Sequence, residues 1–439
     1  MPLIKNLINQ KEQYLQVLEA RRSPASVVEN FMQGIKLYSD WIVGTKKLQE
    51  LRTERNKLSK EYGKNKDKKL LKDAETLKKE IEVLEKTLNE YEEKIKQIEL
   101  TLPNWLADDV GIGEPYISKP IEYCGIPKVQ VTRAKEFEMN YPGVHYETTE
   151  KVLHHYDLVG KLIDQEIAAE IAGSRFYCEF DELVILDFAL TMYGIDYFRK
   201  KGYAQRLMIT PYLMKKTVEE NITYFTSFAE TIFELEKEGL VLIPSSEHTI
   251  VAFYADRIFE EKELPLRVMA WSPCFRKEAG AHGKDTKGIF RAKQFHKLEI
   301  HTILPEQGDL DEVERIRKDV QEFMLSLGLP NRSVIVHASE TDMRAIKQVD
   351  IETWMPAQNQ YRETHSIATM GTWVSEKVKM RYTTRQHERK PTKNVYATAV
   401  ATQRTLCALV ENHYNPKDNA IYVPKPLQRY ALGIEKIKL

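Results

Sequence analysis

Two arginines, Arg276 and Arg291, flank a turn-rich stretch within CFRKEAGAHGKDTKGIFRAKQFHKLE. Their types suggest phosphate chemistry, because a guanidinium is a planar fork of donors that matches phosphate oxygens two at a time. Past the turn the residues alternate as in an extended strand. Ile289, Arg291, Lys293, Phe295, Lys297 and Glu299 fall on one side; Phe290, Ala292, Gln294, His296 and Leu298 fall on the other. On the charged side Phe295 could stack on a flat ring. Glu278 and Glu299 could hold an amine, a metal or a hydroxyl. A charged surface hairpin would carry the same pattern, and residue types alone leave both possibilities open.

Other polar residues sit where regular elements end, which is where sites gather. Leu240 to Ile243 is a short apolar strand, followed at once by Pro244, Ser245, Ser246, Glu247 and His248. Ser245 and Glu247 are two apart, so both can face one pocket. Arg404 stands at the start of an apolar helix, TLCALVENHY, where a guanidinium and a helix N-terminus together suit a phosphate.

These groups need a scaffold. The hairpin predicts a strand over Trp271–Arg276, an irregular loop with three glycines over Glu278–Gly288, and a strand over Ile289–Ile300. Helices are expected over Leu183–Lys200 and Glu312–Leu327, with strands over Tyr203–Pro211 and Arg332–His337. Residues 104–145, dotted with proline and glycine, predict linker and short strands. Ahead of them lies a long helical region. Leu70, Ala74, Leu77, Ile81, Leu84, Leu88, Tyr91, Ile95, Ile98 and Leu102 are spaced alternately four and three apart, a heptad repeat. A looser series precedes it: Phe31, Ile35, Tyr38, Ile42, Leu48, Leu51, Leu58 and Tyr62. The segment from Tyr62 to Lys69 has a glycine and no apolar period, so it predicts a reversal. Two helices of about 30 residues make a hairpin roughly 45 Å long. Its lysine-rich tip suits either a phosphate backbone or plain solvation.

With 439 residues the chain exceeds what one core supports, so two or more domains are expected. Lys and Arg number 65, as do Asp and Glu, so a global basic field is excluded and any nucleic-acid contact must be local. The four cysteines, Cys124, Cys178, Cys274 and Cys407, are scattered, which argues against a disulfide framework or a cysteine zinc site. His145, His154 and His155 fit no common zinc spacing. No secretory signal or bilayer-length apolar run stands out, so a cytoplasmic enzyme without membrane attachment is expected.

The stretch from Cys274 to Glu299 resembles motif 2 of class II aminoacyl-tRNA synthetases in the form found in seryl-tRNA synthetases, without a gap. The segment Leu183–Pro211 is similar to motif 1, which forms the dimer interface. VYATAVATQRTLCALVEN resembles motif 3, with Arg404 as its arginine. RTERNKLSKEYGK and the LPN at Leu102–Asn104 resemble the family's N-terminal antiparallel arm, which holds tRNA. The resemblance implies an α+β fold: a class II antiparallel sheet over 111–439 and a helical-hairpin coiled coil over 1–110. It also implies ATP and Mg²⁺ as cofactors, a small amino acid and tRNA as partners, and a homodimer.

By resemblance, Arg276 holds the α-phosphate and the substrate carboxylate. Arg291 and Arg404 hold the γ-phosphate, Glu278 lies near the adenine, and Phe295 stacks on it. Ser245, Glu247 and Glu299 line the amino-acid pocket, and Thr398 matches the substrate-hydroxyl position. Glu363 and Ser366 match the Mg²⁺ ligands. Two departures stand out: Tyr396 replaces an asparagine usual in the family, and the run Thr364–Lys377 differs from the family's pattern. Serine activation and transfer to tRNA is the leading expectation. Another small amino acid, a carrier-protein acceptor, or an idle tRNA-binding paralogue are the alternatives.

Overall fold

The computed structural model describes residues 2–223, 231–278 and 285–439. Two of the three glycines of the expected motif 2 loop, Gly280 and Gly283, lie outside the described residues. The chain divides into two compact units, Met1–Trp105 and Leu106–Leu439.

The first unit is built on two antiparallel helices, α1 (Ala25–Asn65) and α2 (Lys68–Glu99). The reversal takes only Lys66 and Asp67, tighter than the sequence suggested. Lys66 adopts a left-handed φ of 55° and donates its N–H to Tyr62 O at 2.8 Å, and the Asp67 side chain caps α2 by accepting from Lys69 N at 2.9 Å. With the extra turns, α1 reaches 41 residues rather than about 30. In α2 the every-seventh residues Ala74, Ile81, Leu88 and Ile95 are buried, while Leu70, Leu77, Leu84 and Tyr91 are half-buried. One partner helix covers only part of the apolar stripe. Gly44 permits this approach: a Cβ there would lie 2.7 Å from Leu88 Cδ2. Ile42, expected in the seam, is exposed, and its neighbour Trp41 packs there instead. At the base, an unpredicted helix over Lys11–Ala20 adds Tyr14 and Leu18 to a core with Phe31, Ile95 and Leu102.

The second unit carries an eight-stranded sheet, numbered here in chain order: β1 (Lys119–Cys124), β2 (Arg206–Met208), β3 (Leu266–Phe275), β4 (Gln294–Leu304), β5 (Asn331–Ile335), β6 (Lys347–Met355), β7 (Gln360–Gly371) and β8 (Lys393–Ala401). Their order across the sheet is β1-β5-β6-β7-β8-β4-β3-β2, antiparallel except for β2 on β3. Helices α3 (Asp181–Lys200), α4 (Ser246–Phe253), α5 (Asp309–Ser326) and α6 (Thr402–His413) pack against it. α3 comes closest at Gly194, where a Cβ would meet Val400 Cγ2 at 2.7 Å. Leu298, Ile300 and Val400 are buried on that helix-facing side, which leaves Lys297, Glu299 and Thr398 to the opposite face.

Three expectations fail in detail. The strand predicted from Ile289 begins only at Gln294; Ile289–Lys293 is irregular. The strand predicted over Tyr203–Pro211 shrinks to Arg206–Met208. A helix over Ala134–Asn140 interrupts the region read as linker and strands.

Candidate active site

Bulges and element ends bring the polar residues of the second unit together. β3 and β4 form the long hairpin, with Ala270 opposite Glu299 and Ser272 opposite Lys297. β4 then pairs with β8, where a register shift between Leu298 and Glu299 sets Thr398 opposite Glu299 and Tyr396 opposite His301. On β7 a second shift does more. Glu363 pairs with Glu352 and His365 with Ile351, leaving Thr364 as the extra residue. Glu363 and Ser366 are three apart and would otherwise face opposite sides of the sheet; with the bulge both line the same cavity. That cavity is about 460 Å³. It is lined by Ser245, Glu247, Arg276, Glu278, Arg291, Phe295, Glu299, Glu363, Ser366, Tyr396, Thr398 and Arg404, all twelve of the residues singled out by sequence.

One end of the cavity is rich in carboxylates. Ser245 caps α4: its hydroxyl accepts from Glu247 N at 3.2 Å and donates to Glu299 Oε2 at 2.5 Å. Glu299 also pairs with Lys297. Burial opposes ionisation of Glu299, but Lys297 and the Ser245 hydroxyl hold its carboxyl below the usual range. Glu247 is buried as well, and here burial wins: its carboxyl is pushed up although Arg344 lies against it. Arg344 is the main residue the sequence reading missed. It is 2 % exposed and donates to Glu247 Oε1 at 3.0 Å, to Asp342 at 2.8 and 3.1 Å, and to the Tyr396 hydroxyl at 2.9 Å. The Tyr396 hydroxyl in turn donates to Met370 Sδ at 3.2 Å.

The other end is rich in arginine. Arg291 donates to Glu278 at 3.1 Å, and Glu278 holds a left-handed φ of 53°, a strained geometry for a residue with a side chain. Arg404, the third residue of α6, donates to Glu363 O at 3.0 Å and pairs with its carboxylate at 3.2 Å. Burial works against ionisation of Glu363, and Arg404 overcomes it. Nearby Asp350, opposite Ser366, is pushed up to about 8 by burial and by the Glu363 charge. Arg276 differs from the other two arginines. Among the described residues it makes no ion pair; its Nε reaches Pro244 O at 3.4 Å and its guanidinium lies 5.4 Å from the Phe295 ring.

A pocket with cationic forks and an aromatic ring at one end and carboxylates at the other suits a nucleotide beside an amine. Comparison with known proteins agrees. The family model described as "Seryl-tRNA synthetase N-terminal domain" matches residues 3–106, and that described as "tRNA synthetase class II core domain (G, H, P, S and T)" matches residues 230–413. The serine–tRNA ligase of Hyperthermus butylicus is 36% identical over 405 residues, covering 89% of this chain and 87% of the relative. The chain belongs to the seryl-tRNA synthetase family. The serine–tRNA ligase of Archaeoglobus fulgidus is 39% identical over 350 residues, 77% of this chain and 76% of the relative. The crystal structure of seryl-tRNA synthetase from Pyrococcus horikoshii complexed with ATP matches with a TM-score of 0.94 and 34% identity, covering 100% of this chain and 99% of that one. The cytoplasmic serine–tRNA ligase from Naegleria fowleri in complex with AMP matches with a TM-score of 0.85 and 28% identity, covering 98% and 95%.

As a seryl-tRNA synthetase family member the chain is an ATP-dependent aminoacyl-tRNA ligase. Its cysteines are all free, with Cys274 and Cys407 buried. No described helix is long and apolar enough to cross a membrane.

Proposed function

We propose that the cavity activates serine with ATP and that the enzyme then transfers the seryl group to tRNA. The observation that carries this reading is the convergence of twelve residues, from three strands, two helices and the hairpin loop, on one cavity that holds arginine forks, an aromatic ring and carboxylates. Glu247 and Glu299 receive the α-ammonium, and Ser245 and Thr398 line the space for a small hydroxyl. Arg276 spans the α-phosphate and the substrate carboxylate. Arg291 and Arg404 exchange their carboxylate partners for γ-phosphate oxygens, while Phe295 stacks on the adenine with Glu278 beside it. The reaction is in-line attack of the serine carboxylate on the α-phosphorus, with pyrophosphate leaving. No general base is required; positioning and charge neutralisation do the catalysis.

The donor set fits Mg²⁺. Glu363 and Ser366 offer one carboxylate and one hydroxyl on the same face, and no group of three His, Cys, Asp or Glu able to hold a metal exists among the described residues. Such a partial shell suits a cation that completes its coordination with phosphate oxygens and water. When bound there, Mg²⁺ neutralises phosphate charge.

The first unit supplies the tRNA contact through its lysine-rich tip, where Lys57, Lys60, Lys64, Lys66, Lys68, Lys69 and Lys72 are all exposed. A homodimer is supported by exposed apolar residues on α3 and beside edge strand β2: Phe188 at 63%, Met192 at 51%, Leu207 at 50% and Ile209 at 72%. This work belongs in the cytoplasm. ATP–pyrophosphate exchange across the amino acids, followed by charging of serine-accepting tRNA, tests the assignment. Exchange dependent on serine and seryl-tRNA formation are expected; exchange with a large or aromatic amino acid alone would overturn it.

A further inference from the structure

Arg344 sits in the connection between β5 and β6 and lines the carboxylate end of the cavity. Its side chain is 3% exposed, and it is held by two carboxylates, Asp342 and Glu247, and by the Tyr396 hydroxyl. Asp342 takes two of its N–H groups, at 2.8 and 3.1 Å, in a bidentate grip that fixes the plane of the guanidinium. The remaining groups then reach Glu247 Oε1 at 3.0 Å and the Tyr396 hydroxyl at 2.9 Å. The guanidinium also lies 5.5 Å from the Tyr396 ring.

This arrangement has two consequences. Glu247 keeps one carboxylate oxygen on Arg344, so the direction of the other is set by a buried, rigid partner. The Tyr396 hydroxyl accepts from Arg344 and donates to Met370 Sδ. A hydroxyl has a single proton, and in this structure Tyr396 directs it at Met370 Sδ rather than into the pocket. Its ring therefore acts as a wall of the pocket, and the wall is tied in place by Arg344.

We propose that Arg344 is a specificity-determining positioning residue: it aims Glu247 at the α-ammonium of the amino acid and, through Tyr396, closes the side-chain end of the pocket against anything larger than serine. This inference rests on the assignment of that end of the cavity to the amino acid. It predicts that Arg344 governs the amino-acid parameters and leaves the nucleotide parameters alone, because the arginines of the ATP end have other partners.

The test is steady-state ATP–pyrophosphate exchange with serine, threonine, alanine and glycine, on wild type, Arg344→Ala, Arg344→Lys and Tyr396→Phe, each checked by thermal unfolding. Arg344→Ala should raise KM for serine by at least about tenfold, the scale of leaving a buried carboxylate without its charged partner, with KM for ATP little changed. Arg344→Lys should recover part of that loss, because an ammonium can still pair with Glu247. Tyr396→Phe removes the tie without leaving a buried charge, and should lower the serine-to-threonine ratio of kcat/KM by at least about fivefold, within the range one methyl group commands. If Arg344→Ala does not fold, the lysine and phenylalanine variants carry the test. Equal shifts in the serine and ATP parameters, or a serine KM and a serine-to-threonine ratio that stay at wild-type values, would overturn the proposal. A wild type that ignores serine would overturn the seryl assignment instead; the same variants, run with the amino acid it does activate, would then decide the role of Arg344 separately.

Discussion

Replacing Arg276 by alanine separates the stability of the cavity from its chemistry. Arg276 has no ion pair among the described residues; besides the Phe295 ring 5.4 Å away, its side chain has one long contact, 3.4 Å, to Pro244 O. Losing that contact should cost the fold less than about 1 kcal/mol, as for most substitutions outside cores and networks. The cost to catalysis should be larger. A guanidinium about 4 Å from one phosphate charge is worth roughly 4 kcal/mol at an effective dielectric constant of about 20. Removal of one preorganised donor in other enzymes costs about 2.7–4 kcal/mol. Exchange should therefore fall by about 10²- to 10³-fold with little change in Tm. Arg291→Ala should cost less, by roughly a factor of ten, because Arg291 must first give up Glu278 at 3.1 Å, and that exchange of partners cancels part of the gain. Serine-dependent ATP–pyrophosphate exchange, with serine and ATP varied independently, measures both. A folded Arg276→Ala enzyme within about threefold of wild type would remove Arg276 from the reaction. A greater loss in Arg291→Ala than in Arg276→Ala would refute the argument from unpaired charge.

Replacing Thr53–Lys79 by a short glycine turn keeps the Lys47–Glu80 and Arg52–Glu85 pairs and the base of the first unit; exchange should stay near wild type while tRNA charging falls by at least about tenfold, as expected when phosphate contacts are removed. Equal loss of both activities would count against a separate tRNA-binding arm. Ser366→Ala should raise the Mg²⁺ concentration needed for half-maximal exchange, and an unchanged Mg²⁺ titration would exclude Ser366 as a ligand. Burial holds His301 down to about 4, with its Nε2 bonded to Asn394 Oδ1 at 3.0 Å. The unfolded chain takes up that proton near pH 6.5 and the folded chain does not, so stability is full above about pH 6.5 and declines as pH falls towards 4. Urea unfolding of wild type should therefore lose up to about 3 kcal/mol more than His301→Gln across that range, and parallel pH profiles would refute it.

What was legible in the sequence and what was not follows from the range of each interaction. The heptads of α2 and the alternation of Lys297 and Glu299 are local periodicities, so they could be read directly. Residues 289–293 alternate just as well, but they fold irregularly. Gln165 fixes Gly288 just before them with two hydrogen bonds, at 2.7 and 2.9 Å, from 123 positions away. The common face of Glu363 and Ser366 depends on a bulge, and a spacing of three in a strand argues against it. Arg344 lies in a connection without periodicity, so the only sequence signal was an Asp-Met-Arg run between two strands.

Arg344 also changes the meaning of the departure at Tyr396. From sequence, Tyr396 replaces an asparagine usual in the family, putting a phenol with one hydroxyl in place of an amide. In the fold that hydroxyl is occupied by Arg344 and Met370. A return to asparagine would not restore a serine contact by itself. The shorter side chain would leave the Arg344 donor without that acceptor, and it would open space where the ring had been. Each effect works against selectivity for a small substrate. On the proposed assignment of this end to the amino acid, recognition of a small hydroxyl then falls to Thr398 and to the Ser245–Glu299 pair, which the pocket holds next to Lys297. On that assignment, the proposed amino-acid end of this cavity is one charged unit, Asp342–Arg344–Glu247, with a tyrosine wall. A single substitution in it changes the shape and the charge of the pocket together.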